Sequence, residues 1–270
     1  MPQSPLLVKA AAGRQICDIT PESAGWTHVG FRALRLAAGE SEAIETGARE
    51  LCLVVLTGTV DVQVGGARFD ALGSRDSVFA GQSPDALYVP AGHALTVTAM
   101  RNAEVALCTA PSRAGSGHAV RRIDGRAMRR SVRGQGSNTR HVCDILPQDD
   151  PGADHLLVVE VITPGGHSSS YPPHKHDRDV PPEETLLEET YYHRLDPPQG
   201  FAFQRVYTDD RSLDEACVVE NHDVVMVPRG YHPCVAPHGY DLYYLNVMAG
   251  PERAWHFRND PVHEWMLQKP

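Results

Sequence analysis

The sequence predicts an all-β fold built as two tandem barrels, and three observations carry that prediction. Short apolar runs alternate with turn residues throughout, with 23 glycines and 21 prolines among 270 residues, as many short strands require. No long stretch keeps the 3.6-residue period of an amphipathic helix. Two landmarks recur at nearly one spacing: Glu50 and Glu189 open strand-like runs 139 positions apart, and Val89-Pro90-Ala91-Gly92 and Val227-Pro228-Arg229-Gly230 lie 138 apart, as in a duplicated unit.

In the first half, strands are expected at residues 26–36, 51–56, 59–64, 85–89 and 94–99, with Thr57-Gly58 as a hairpin turn. In the second half they are expected at 156–162, 190–194, 201–207, 216–219, 223–227 and 242–247. The division follows as residues 1–125 for the first barrel and 126–270 for the second. Between the halves lies a basic cluster, Arg121, Arg122, Arg126, Arg129, Arg130 and Arg133, interrupted by Asp124. It reads as a linker or an interface.

Composition excludes several classes. With 41% hydrophobic residues the chain has material for one large or two medium cores. A formal net charge of −9 argues against a nucleic-acid groove, which needs clustered positive charge. The six cysteines are scattered without a CxxC pair, so buried reduced thiols are expected. The N-terminal residues lack the apolar core of a secretory signal, and no apolar run is long enough to span a bilayer. A soluble, cytoplasmic protein is expected.

The chemistry concentrates in residues 171–192, YPPHKHDRDVPPEETLLEETYY. His174 and His176 are two apart, so on an extended strand they point to one side. Glu189 can add a carboxylate from the next strand, and a Pro-Arg-Gly turn delivers His232. Three histidines and one glutamate leave room for exchangeable ligands, which suits a Lewis acid better than a structural metal. A histidine pair could arise by chance in a chain with 14 histidines, but its company of Glu189 and His232 favours a metal. Such a set accepts one divalent ion, with Zn the first expectation and Mn, Fe, Co or Ni the alternatives. The stretch LRLAAGESEAIETGAR that leads into Glu50 has no histidine, and the turn after it delivers only His93, so the first half is expected to be a barrel without a metal site.

A His-x-His pair, a glutamate opening a tyrosine-rich strand and a VPxG turn delivering a third histidine, in a duplicated barrel, resemble the bicupin superfamily of tandem jelly-roll barrels with few short helices. More narrowly, SSSYPPHKHD, LEETYYHR, GFAFQRVYTDDRSLDE, VPRGYHP and MAGPERAWHFRNDPVHEW resemble the 5-deoxy-glucuronate isomerases of bacterial inositol catabolism, related to the 4-deoxy-5-keto-uronate isomerases. The resemblance implies an aldose–ketose isomerisation of 5-deoxy-D-glucuronate to 5-dehydro-2-deoxy-D-gluconate, a sugar-acid substrate and a homodimer. In the general cupin pattern the glutamate follows the histidine pair by four or five positions. Here Glu189 comes thirteen after His176, across DRDVPPEETLLE. Glu188 is its rival, and ETYY matches the family's strand opening with Glu189 as the ligand.

Such a reaction needs a base to move a proton between neighbouring carbons; Glu184, His193 and Tyr191 are the candidates. For the substrate carboxylate a guanidinium fork is the natural partner. Arg205 is the first choice, with Lys175, Arg178 and Tyr192 as further substrate contacts. Strand alternation lets only one of Arg205 and Gln204 face the barrel interior, and an ion pair to Asp209 or Asp210 is the competing role for Arg205. Two other functions use the same residues: a cupin dioxygenase with ferrous iron, and a sugar-acid binder without turnover.

Overall fold

Along strand Arg49–Thr57, Leu51, Leu53 and Val55 join one apolar core with Val60, Val62 and Val97 from a facing sheet, which is period-2 alternation expressed as a sandwich. The computed structural model describes residues 3–268 and is almost entirely strand. Its one α-helix among the described residues, Pro21–Ala24, is a single turn capped by Thr20. The six cysteines are buried thiols outside any disulfide.

The chain divides into two compact units, neither continuous in sequence: residues 11–129 with 144–158, and residues 3–10, 130–143 and 159–268. The expected cut after residue 125 is thus replaced by an exchange of segments. Strand Leu7–Val8 pairs with Val224–Val227, Leu7 opposite Val225, so local β-pairing carries the N-terminal segment into the second unit.

In the first unit a six-stranded antiparallel sheet runs Arg121–Ile123, Ala86–Val89, Arg49–Thr57, Ala103–Pro111, Gly30–Leu36, Gln15–Ile19, and a four-stranded sheet runs Ser41–Glu45, Ala94–Ala99, Val60–Val64, Ala67–Leu72. The strand expected from residue 26 starts at Gly30, because Trp26 turns its indole N–H onto the Val29 carbonyl, 2.7 Å away. The basic cluster is no free linker. Arg121 pairs with Asp150 at 2.8 Å, Arg122 with Asp85 at 2.7 Å and Arg129 with Asp144 at 2.7 Å.

Strand register corrects the internal repeat by one residue. Leu51 lies opposite Val89, and Glu189 opposite Val227, so the counterpart of Glu189 is Leu51, not Glu50. A one-residue shift on a strand reverses the face, and the first unit has a core leucine where the second has a carboxylate. Glu50 points the other way. Fully buried, it accepts hydrogen bonds from the Tyr88 hydroxyl at 2.7 Å and from the backbone N–H groups of Asp154, His155 and Leu156 at 2.7, 2.6 and 2.6 Å. That clasp holds residues 154–156 in the first unit. The same shift sets Ala94 against His232, and His93 turns its ring onto the Pro90 and Ala91 carbonyls.

In the second unit, strand Glu188–Asp196 lies between Val224–Val227 and Asp241–Ala249. A four-stranded sheet is ordered Ser168–Ser169, Cys234–Val235, Phe201–Tyr207, Asp214–Glu220, and a short ribbon pairs His174–Lys175 with Arg258–Asn259. These elements position every donor of the site.

Candidate metal centre

His174, His176 and His232 meet in the second unit, each offering a ring nitrogen within 4.8 Å of the others. Their ring centroids are 4.8 Å (His174–His232), 4.9 Å (His176–His232) and 6.1 Å (His174–His176) apart. Glu189 joins them: its Oε2 lies 3.1 Å from His176 Nε2 and 3.2 Å from His232 Nε2. Asn246 donates its amide to the other carboxylate oxygen.

The thirteen-residue spacing is resolved by a loop that closes on itself. Glu184 is buried and accepts the N–H groups of Asp177 and Arg178 at 2.8 and 3.2 Å, while Leu187 N–H donates to the His176 carbonyl at 2.9 Å. The insertion therefore returns to its own start. Glu189 then lies two residues beyond the closure, and alternation places it with Tyr191 and His193 while Glu188 faces away.

Backbone carbonyls set the imidazole tautomers. His176 Nδ1 contacts the Leu187 carbonyl at 3.0 Å and His232 Nδ1 the Gly230 carbonyl at 2.8 Å, while His174 bonds the Pro172 carbonyl. A ring that donates from Nδ1 keeps its Nε2 lone pair. His232 Nε2 is buried with no hydrogen-bond partner, an arrangement that costs free energy unless an electrophile fills it. Burial first, then neighbouring positive charge, pulls His174 down to about 3; burial also brings His232 to about 3, against the pull of Glu189. On His176 burial acts downward, but its bond to Glu189 and that carboxylate's charge prevail and hold it above its ordinary value. Two imidazoles kept neutral and a third drawn onto one carboxylate fit a divalent ion that takes the place of the proton between His176 and Glu189.

The turn that delivers His232 depends on Gly230. Its φ is +91°, and a Cβ there would lie 2.5 Å from the Tyr207 carbonyl oxygen; its N–H is held by Asp177 at 3.0 Å. Gly230→Ala is expected to cost roughly 2–4 kcal/mol and to lower metal content along with stability, as read by thermal melts and elemental analysis. Wild-type stability in that variant would contradict the account.

A cavity of about 240 Å³ adjoins the cluster, and His174, Glu189 and Tyr191 line it. Of the three residues expected to move the proton, Tyr191 alone is in that wall. Burial, and next the Glu189 charge, push its phenol well above the ordinary range, and its hydroxyl bonds Ser170 Oγ at 3.1 Å. Burial also raises Glu184, as a base would require, but its carboxylate is committed to the loop. His193 sits behind Tyr191, stacked on it with centroids 5.9 Å apart, and its Nε2 contacts Gln204 Oε1 at 2.9 Å.

The expected substrate contacts lie elsewhere. Gln204 is the residue that faces inward; Arg205 is half-exposed on the opposite face, where it forms a fork of two 2.7 Å bonds to Asp214, not to Asp209 or Asp210. Lys175 points away from its flanking histidines and is buried against Asp209 at 2.6 Å and Asp177 at 3.1 Å. Arg178 is exposed, 3.6 Å from Asp209. Tyr192 occupies the far face of its strand and bonds His222 at 2.6 Å. None of the four lines the cavity. An exposed ion pair contributes little, so Arg205→Ala is expected to leave kcat/KM within about twofold and stability within about 1 kcal/mol; a tenfold loss of kcat/KM would return Arg205 to the site.

The cavity wall includes residues that the sequence motifs do not mark: Arg133, Arg140, Tyr244, Asn246, Trp255 and Phe257. Arg133 was legible only as part of a basic cluster, and Trp255 and Phe257 only as part of the tail segment MAGPERAWHFRNDPVHEW, with no role of their own. They come from three distant stretches of chain, and their meeting is tertiary.

A duplicated β-sandwich with three histidines and a glutamate gathered in one copy defines a bicupin. The chain belongs to the KduI/IolB family, whose description matches residues 6–266. It is 51% identical over 253 residues to the 5-deoxy-glucuronate isomerase of Halalkalibacterium halodurans, covering 93% of this chain and 92% of that one. The crystal structure of an IolB-like protein from Salmonella typhimurium superposes with a TM-score of 0.95 at 46% identity, over 98% of this chain and 100% of that one. A Bacillus subtilis oxalate decarboxylase with Mn(II) centres shares the fold at a TM-score of 0.66 and 12% identity, over 100% of this chain and 82% of that one.

Proposed function

We infer that the protein is a 5-deoxy-glucuronate isomerase of inositol catabolism, converting 5-deoxy-D-glucuronate to 5-dehydro-2-deoxy-D-gluconate, with one divalent ion held by His174, His176, His232 and Glu189. The reading rests on the partnerless His232 Nε2 set among two further imidazoles and a carboxylate beside the cavity, in a chain of this family. A divalent ion in that donor set supplies Lewis acidity toward the sugar carbonyl. Zn is the first choice, with Mn, Fe, Co and Ni accepted by the same donors.

The chain's own residues shape the rest. Tyr191 and Tyr244 line the cavity; their phenols, raised by burial, remain protonated, and their hydroxyls meet Ser170 and Ser169. Tyr191 is the residue placed to hand a proton to or from substrate. Val142, Val159, Val161 and Phe257 make the wall apolar, which limits water and strengthens each polar contact. In the reaction a proton leaves the carbon beside the aldehyde and one, exchangeable with solvent, is delivered to the former aldehyde carbon, while the neighbouring hydroxyl gives up a proton and the former aldehyde oxygen gains one. No oxidant is consumed.

The test combines elemental analysis with an anaerobic NMR assay in D₂O on 5-deoxy-D-glucuronate. About one metal per chain and keto product without O₂, with deuterium at the receiving carbon, is the expected result. Turnover only after O₂ is admitted would make the protein a dioxygenase, and saturable binding without product would make it a sugar-acid binder. Among the described residues no helix is long and apolar enough to cross a membrane; a cytoplasmic location and a dimer complete the proposal, the latter measured by sedimentation velocity.

A further inference from the structure

Two guanidinium groups, Arg133 and Arg140, line the cavity, against one carboxylate, Glu189. Glu189 already bonds His176 and Asn246 and lies 3.2 Å from His232 Nε2. With a divalent ion in place the cavity is strongly positive and lacks a balancing anion. The two arginines differ in setting. Arg133 is exposed, its guanidinium 5.8 Å from the Trp255 ring centroid. Arg140 is half-buried at the start of strand Arg140–Leu146.

Arg140 is held at one end only. Its Nη1 donates to the Asn138 backbone carbonyl at 3.1 Å and to Asn138 Oδ1 at 3.2 Å, and the Asn138 amide donates to the Tyr171 carbonyl at 3.1 Å. Among the described residues no carboxylate pairs with Arg140, unlike Arg121, Arg122, Arg129 and Arg205. Withdrawing a guanidinium from water without an anion is unfavourable, and a positioned fork with its remaining N–H groups free matches a carboxylate bidentately. Its charge acts on both His174 and Tyr244, so it is close to the reacting end of the cavity.

We propose that Arg140, positioned by Asn138, receives the carboxylate of the sugar-acid substrate and sets the preference for uronates over neutral sugars. The assignment rests on the isomerase reading for the identity of the substrate, but not for the presence of a carboxylate site. A substrate anchored there by its acid end and by its aldehyde end near the histidines is aligned before proton transfer, so both KM and kcat depend on the contact.

The experiment compares wild type, Arg140→Gln and Arg140→Lys as metal-loaded proteins. Each is assayed with 5-deoxy-D-glucuronate and with 5-deoxy-D-glucose, in which an alcohol replaces the carboxylate. In Arg140→Gln, kcat/KM for the acid is expected to fall about 30- to 100-fold while that for the neutral sugar stays within about threefold. Arg140→Lys recovers part of the loss because it keeps the charge but not the fork. Metal content and melting temperature stay at wild-type values. Equal losses on both sugars, or loss of metal, would make Arg140 structural and overturn the assignment. Calorimetric titration with D-glucuronate and D-glucose separates this from the isomerase reading. If wild type converts neither deoxy sugar yet binds D-glucuronate at least about tenfold more tightly than Arg140→Gln does, the isomerase reading fails and the carboxylate site stands. If the two proteins bind D-glucuronate equally, the carboxylate site fails.

Discussion

His232→Ala is expected to reduce bound metal from about one per chain to below about 0.1 and turnover by at least about 10³-fold. His232 is the donor whose Nε2 has no hydrogen-bond partner, and its ring is locked by the Gly230 carbonyl so that this nitrogen faces His176 and Glu189. Alanine removes one of four donors and the only one presented by the turn after strand Val224–Val227. Elemental analysis and the NMR assay read the two effects in one preparation. His174→Ala, at the half-buried edge of the cluster, provides the control for folding, since its truncation leaves a smaller internal void. Wild-type metal content in both variants would dismiss the centre.

Glu50→Ala is expected to destabilise the protein by about 3–5 kcal/mol without changing the metal bound per folded chain. The carboxylate is fully buried and accepts four hydrogen bonds, three of them from consecutive backbone N–H groups at residues 154–156. Alanine leaves those donors buried and unpaired, each at a cost of roughly 1–3 kcal/mol. Urea unfolding measures the loss. A change below about 1 kcal/mol would mean that solvent satisfies the same groups.

Much of the metal centre was legible because side-chain direction on a strand alternates strictly. His174 and His176 share a side for that reason, as do Glu189, Tyr191 and His193, whereas the choice of Glu189 over Glu188 needed the ETYY resemblance as well. Alternation also states that Arg205 and Gln204 cannot both face inward, but it does not say which one does. The answer came from packing, which left Gln204 to bond His193 and put Arg205 beside Asp214. The glutamate landmark of the internal repeat misled by one position for a related reason. Similar text aligned Glu50 with Glu189, whereas register follows hydrogen-bonded partners, and those equate Leu51 with Glu189.

By itself, the sequence determined the all-β duplicated fold and pointed to short, alternating strands of the second half as the place of the candidate metal donors. These are local properties, readable from period and turn chemistry. Only the tertiary structure decided which charged residues face the cavity. Arg133 and Arg140 are far in sequence from Asn246 and Trp255, and what unites them is the closing of separate stretches around one space, a long-range arrangement that no local pattern encodes.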